Sequence, residues 1–188
     1  NWLHTPVKHR KIIQKEVEAP LLQTRAMQRG IIIHRLFELL LDLPAVMRKE
    51  AATFYLNKQS EPIDDIPLNT ILATLESEML RPFCEGQAVA EMEISDCDGK
   101  LQRLDRVIVT KTHVRILDYK TSSLFPKEIN ATPKAILTQL SNYAAAMQQI
   151  YPNHQIDCYL LWTSGPVLHH IPHNLLKLTP TMEKPFSP

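Results

Sequence analysis

Asp105, Asp118 and Lys120 are the residues of this chain whose types and spacing best suit catalysis. They lie in the stretch from Leu101 to Ser122, where alternating apolar and polar residues predict two strands. Folding that stretch about Lys111-Thr112 sets Thr110 opposite His113. Equal counting outward then sets Asp105 opposite Asp118, with Cβ atoms roughly 5 Å apart. The two-residue period of a strand puts Arg103, Asp105, Val107 and Val109 on one face with Val114, Ile116, Asp118 and Lys120. The turn end of that face is apolar and its open end ionic. Two carboxylates this close repel each other and one lysine offsets only part of that, so a divalent cation is the natural stabiliser. Such a centre suits metal-assisted hydrolysis of a phosphodiester. The plainer alternative is an ion-paired, solvated hairpin end, since most charged residues lie at the surface. The apolar run Ile116-Leu117 just before Asp118, and the matching register of Asp105, weigh against it. Lys-Thr is weak turn chemistry beside Asn-Gly or Asp-Gly, and a longer loop of even length would keep the same pairing.

These strands need neighbours to hold them. Ala88 to Ile94 alternates as a third strand, joined to Leu101 through the turn residues Asp98-Gly99. Glu91 and Glu93 share one of its faces and either join the acidic cluster or face water. Upstream, Gly30 precedes an apolar run from Ile31 to Leu41 that has the length of a buried helix ending before Pro44. His34 emerges from it, flanked by Phe37 and Glu38 at i+3 and i+4; a lone histidine there is more often a satisfied core residue than a ligand. Pro44 to Leu56 and Pro67 to Leu80 read as further helices, the second broken by Pro82. Pro133 opens an amphipathic helix over Lys134 to Ile150, on which Gln139 and Tyr143 project together. Such a pair is usually ordinary helix surface, although an amide and a phenol also suit a phosphate or a base. Strands at Ile156 to Trp162 and Val167 to Ile171 follow, then a Pro-rich end with a short helix and a loose tail.

With 188 residues, 44% of them hydrophobic, the chain has material for one domain with a substantial core. No apolar run nears the ~20 residues of a membrane span, and no signal peptide opens the chain. The net charge of +1 says nothing about nucleic acid. Residues 1–29 hold Lys8, Arg10, Lys11, Lys15, Arg25 and Arg29 against Glu16 and Glu18, and read as a solvated connector or as a basic arm along a phosphate backbone. The lack of an initiator Met suggests a piece of a longer protein. Three cysteines without a Cys-x-x-Cys spacing argue for a reducing compartment, and against a zinc site or a four-cysteine iron–sulfur cluster. There is no glycine-rich phosphate loop.

The order helix, three strands, helix, strand, with Asp105 and Asp118-Tyr119-Lys120 on the second and third strands, resembles the PD-(D/E)XK nuclease superfamily. Gly30-(x)₃-His34-Arg35-Leu36, Leu104-Asp105-Arg106-Val107, Asp118-Tyr119-Lys120-Thr121 and Gln139-Leu140-(x)₂-Tyr143 resemble, in order and spacing, the motifs of its RecB-type branch. Ala90 to Ile94 and Tyr159 to Pro166 look like the C-terminal nuclease domain of AddA helicase-nucleases of the alphaproteobacterial kind. One departure is Gln102, where the family usually carries Gly three residues before the strand Asp.

The resemblance implies an α/β fold with a mixed central sheet flanked by helices. It divides the chain into a connector (1–29), a nuclease domain (30–175) and a tail (176–188). It implies His34, Asp105, Asp118 and the carbonyl of Tyr119 as ligands of Mg²⁺ or Mn²⁺, with Lys120 positioning the attacking water and Gln139 and Tyr143 steadying the site. It further implies a bacterial, cytoplasmic, nucleoid-associated enzyme that cuts single strands of DNA during double-strand break repair. There it would be fused behind a helicase and partnered by an AddB-like second subunit. The rivals are a free-standing RecB-type nuclease of a phage or defence system, and a catalytically silent DNA-binding or docking module; intact His34, Asp105, Asp118 and Lys120 argue against the latter.

Overall fold

The computed structural model describes residues 7–59, 65–84, 87–95 and 101–176. Its five strands, β1 (Gln87–Ser95), β2 (Leu101–Val109), β3 (His113–Lys120), β4 (Gln155–Trp162) and β5 (Val167–Ile171), form one sheet in sequence order. Every neighbouring pair is antiparallel except β3 and β4, which are parallel. A parallel pair needs a long crossover, and the helix Lys134–Ile150 supplies it. The mixed sheet flanked by helices is the expected fold class.

The hairpin register holds as counted. Val109 pairs with Val114 and Arg106 with Leu117, so the chain reverses at Lys111-Thr112. Thr110 explains how so weak a turn sequence closes: its N–H donates to the His113 carbonyl at 2.9 Å, and its hydroxyl accepts from the His113 N–H at 3.0 Å. The described pairing stops at Arg106–Leu117, one step short of Asp105 and Asp118. There the strand ends splay, and Asp105 and Arg103 reach the first helix instead of sharing a face with Lys120, as strict alternation predicted. On β1, Glu93 is exposed; the Glu91 side chain and the Asp98-Gly99 turn lie outside the described residues.

Three helices cover one face of the sheet: α1 (Val7–Leu41), α2 (Ala45–Asn57) and α3 (Leu68–Leu75). The α1 stripe Ile33, Leu36, Phe37, Leu40 and Leu41 packs at helical spacing on Ile108, Leu117, Tyr119 and Leu161. Arg48 of α2 joins the three, its buried guanidinium donating to the carbonyls of Leu40, Leu43 and Leu75 at 2.9–3.1 Å. Two of these carbonyls, at the ends of α1 and α3, lack intrahelical partners. The other face carries α4 (Lys134–Ile150), which presents Leu140, Tyr143, Ala144 and Met147 to Val107, Val114, Ile116 and Leu160.

Some boundaries depart from the sequence reading. The first helix begins at Val7, well before Gly30, so backbone read as connector is helical. Gly30 stands mid-helix because a Cβ there would come within 2.8 Å of Thr121 Oγ1, at the end of β3. The third helix stops at Leu75, and Pro82 lies inside a separate 3₁₀ segment, Glu78–Phe83. Residues 173–176 form a turn, and the remaining tail lies outside the described residues.

Candidate metal centre

The site forms where β2 and β3 part. A carboxylate takes over from the interrupted ladder: the Tyr119 N–H donates to Asp105 Oδ2 at 2.7 Å. The same oxygen lies 2.9 Å from His34 Nε2 on α1. The other ring nitrogen, Nδ1, is 3.2 Å from Glu38 Oε1, one helical turn further along. His34, Glu38 and Asp105 thus bring one ligand atom each within 4.8 Å of one another. The close approach of α1 at Gly30 sets the distance at which His34 and Glu38 meet the strands.

Asp118 is almost wholly buried beside this group, 2% exposed. Its Oδ2 is ion-paired with Lys120 Nζ at 2.8 Å and has no further partner among the described residues. Burial and the neighbouring Asp105 push the Asp118 carboxyl up to about 6, against the opposing pull of Lys120 and His34. Burial also works against the His34 imidazolium, but the hydrogen bond and charge of Asp105, with Glu38 and Asp118 behind it, outweigh that and raise its pKa. Acid and base are therefore both displaced toward holding protons. That is the signature of clustered carboxylates short of positive charge.

From the α4 side a relay fixes Lys120. Its ammonium donates to Gln139 Oε1 at 2.9 Å, Gln139 Nε2 donates to the Tyr143 hydroxyl at 2.7 Å, and that hydroxyl donates to the Arg103 carbonyl at 3.0 Å. Burial and the two aspartates raise the Tyr143 phenol, so it stays protonated as a donor. The backbone of Lys120 and Thr121 is held as well. The Thr163 N–H donates to the Lys120 carbonyl at 2.9 Å and Ser164 Oγ to that of Thr121 at 3.0 Å. Gly165 gives room to Phe125, which stacks on Trp162; a Cβ there would come within 2.5 Å of the Phe125 ring.

The structure brings His34 against Asp105, and sets Asp118, Lys120, Gln139 and Tyr143 in a chain of contacts beside them, while Tyr119, expected as a carbonyl ligand, meets Asp105 through its N–H. His34, Asp105, Asp118 and Lys120 form the centre, Gln139 and Tyr143 form the relay, and Tyr119 supplies an N–H while its ring packs on Phe37 and His34. The sequence reading missed Glu38 as a member. Its side chain is 3% exposed and meets His34, Arg35 and Arg103. The signal was its i+4 spacing from His34, which also fits an ordinary amphipathic helix.

The ligand atoms that lie together belong to two carboxylates and one imidazole, with the buried Asp118 carboxylate, ion-paired to Lys120, beside them. That composition fits a hard divalent cation such as Mg²⁺ or Mn²⁺. The sequence pattern of the PD-(D/E)XK nuclease superfamily matches residues 8–173, and the chain belongs to that superfamily. Its nucleases use divalent metals. No curated protein matches the chain.

Proposed function

We propose that the chain is the nuclease domain of an AddAB-type helicase-nuclease, cutting single strands of DNA with Mg²⁺ or Mn²⁺ during repair of double-strand breaks by recombination. The observation that carries the nuclease chemistry is the buried Asp105–Asp118 pair beside His34 and Glu38, with Lys120 at its rim. His34, Asp105, Asp118 and the Tyr119 carbonyl would hold the ion, with Glu38 as a further oxygen donor. When bound, the ion lowers the pKa of a water and polarises a phosphoryl oxygen. Lys120, kept extended by Gln139, places a positive charge where negative charge grows on the phosphate during attack. Tyr143 keeps the Gln139 amide oriented so that its oxygen, not its nitrogen, faces the lysine.

Two cavities flank the centre and support a single-stranded substrate. One, of about 390 Å³, is lined by Gly30, His34, Arg35, Glu38, Arg103 and Thr121. The other, of about 570 Å³, lies between β2 and α4 and is lined by Gln102, Arg103, Thr138, Gln139, Asn142 and Tyr143 among others. Both are at the scale of small-ligand pockets, a volume that takes separate nucleotides. Within a helicase-nuclease, a preceding motor region would deliver the strand and an AddB-like subunit would handle the other one, in the bacterial cytoplasm at the nucleoid. The resemblance of Ala90 to Ile94 and Tyr159 to Pro166 to AddA supports that context.

The test is cleavage of a labelled single-stranded oligonucleotide by the chain with Mg²⁺ or Mn²⁺, against the matched duplex and against EDTA. Metal-dependent cutting of the single strand, abolished in Lys120→Ala, is the expected result. Equal cutting of both substrates would overturn the strand preference, and an inert chain, alone and within its helicase complex, would overturn the nuclease.

A further inference from the structure

Arg103 sits two residues before Asp105 on β2, with its side chain half exposed. Its carbonyl is fixed by the Tyr143 hydroxyl, whereas its Nη2 lies 3.2 Å from Glu38 Oε1. That oxygen is also the partner of His34 Nδ1 and belongs to the cluster able to take a cation. A divalent ion seated at Glu38 Oε1 therefore competes with the guanidinium for one atom.

Charge argues in the same direction. Among the described residues three carboxylates, Glu38, Asp105 and Asp118, stand against Lys120, Arg35 and Arg103, but both arginines are half exposed, so the buried centre is short of positive charge while the site with its rim is balanced. A divalent cation leaves two positive charges in excess, and anionic phosphate is the ligand that restores the balance. Position then selects Arg103, because it lines both cavities on either side of the centre. Its planar fork suits two phosphate oxygens, and with the backbone pinned only the side chain has to turn.

Resting on the nuclease reading above, we propose that Arg103 grips a backbone phosphate of the DNA strand beside the scissile bond. Metal binding triggers the exchange by displacing the guanidinium from Glu38. Arg103 is thus a brake on metal binding without substrate and a substrate-binding residue once metal is in place.

The two roles predict opposite responses to one substitution. In Arg103→Gln, Mn²⁺ measured by titration calorimetry binds more tightly, by about fivefold, the scale of a part-exposed ion pair removed as competitor. In the same variant the KM for single-stranded DNA rises by about tenfold, the scale of one charge-assisted phosphate contact. Arg103→Lys recovers part of the KM, and Arg81→Gln, an equal change of charge on the exposed Glu78–Arg81 pair, alters neither quantity. A parent that binds Mn²⁺ and cuts DNA while Arg103→Gln binds Mn²⁺ no more tightly, or keeps its KM, overturns the exchange and leaves the nuclease standing. A parent that neither binds Mn²⁺ nor cuts overturns both.

Discussion

Asp105 and Arg106 are neighbours on β2; the first reaches His34 on α1 and the second Asp42, just past the end of that helix and about two turns from His34. The two clusters of buried charge they build differ in how completely they are satisfied. Arg106, 1% exposed, donates through Nε to the Phe83 carbonyl at 2.9 Å and through both terminal nitrogens to Asp42, one of them at 3.0 Å. Each of its nitrogens has an acceptor. At the Asp105–Asp118 cluster, carboxylates crowd together, Lys120 is the one partner of the buried Asp118 Oδ2 among the described residues, and the Asp118 carboxyl is held up to about 6. A satisfied ion pair joins elements, whereas an unsatisfied group of like charges invites a cation.

The contrast breaks if the two clusters respond alike to mutation. Asp118→Asn is expected to lower single-strand cleavage by about a thousandfold, the scale of removing one transition-state stabiliser. It leaves the metal-free fold at least as stable, because it relieves like-charge repulsion. Cleavage kinetics and thermal unfolding in EDTA check the two halves. Asp42→Ala should do the reverse. It leaves the Arg106 guanidinium buried with only Phe83 for company and costs about 2 kcal/mol, a value below that of a fully buried pair because Asp42 is half exposed. Activity per folded molecule persists, as chemical denaturation paired with an assay will show.

Metal sharpens the difference. Mn²⁺ at a hundred times its Kd should stabilise the chain by about 2.7 kcal/mol, or about 5–10 °C in Tm, and the shift should vanish in Asp118→Asn but survive in Asp42→Ala. Gln139→Ala, which frees Lys120 without removing it, is expected to reduce kcat by about tenfold with little change in Tm. The smallest effect is with pH. The hydrogen bond and charge of Arg106 hold Asp42 below the usual carboxylate range despite its partial burial. That stability is therefore present above about pH 4 and lost as pH falls through the folded value. The stability advantage of the parent over Asp42→Asn should shrink below pH 4.

The hairpin was legible because its register needs only equal counting from Lys111-Thr112, which brings Asp105 and Asp118 to the same end, but the turn of Asp105 toward His34 was not. Lys134 to Ile150 was legible too, from Pro133 and a clean apolar stripe. What could not be read were contacts made across long separations. Glu38 and Arg103 are 65 residues apart and Asp42 and Arg106 are 64 apart. No local pattern distinguishes either pair from surface charges. Gly30 misled for a related reason: as a helix breaker it marks an end, yet its missing Cβ admits Thr121 from another element.

The central claim is that the crowded buried carboxylates form a metal centre, and calorimetric titration of the EDTA-stripped chain with Mn²⁺ tests it most directly. The account predicts saturable binding that is lost in both Asp105→Asn and Asp118→Asn and kept in Asp42→Asn. Binding that survives both site substitutions, or no binding by the parent, would contradict it.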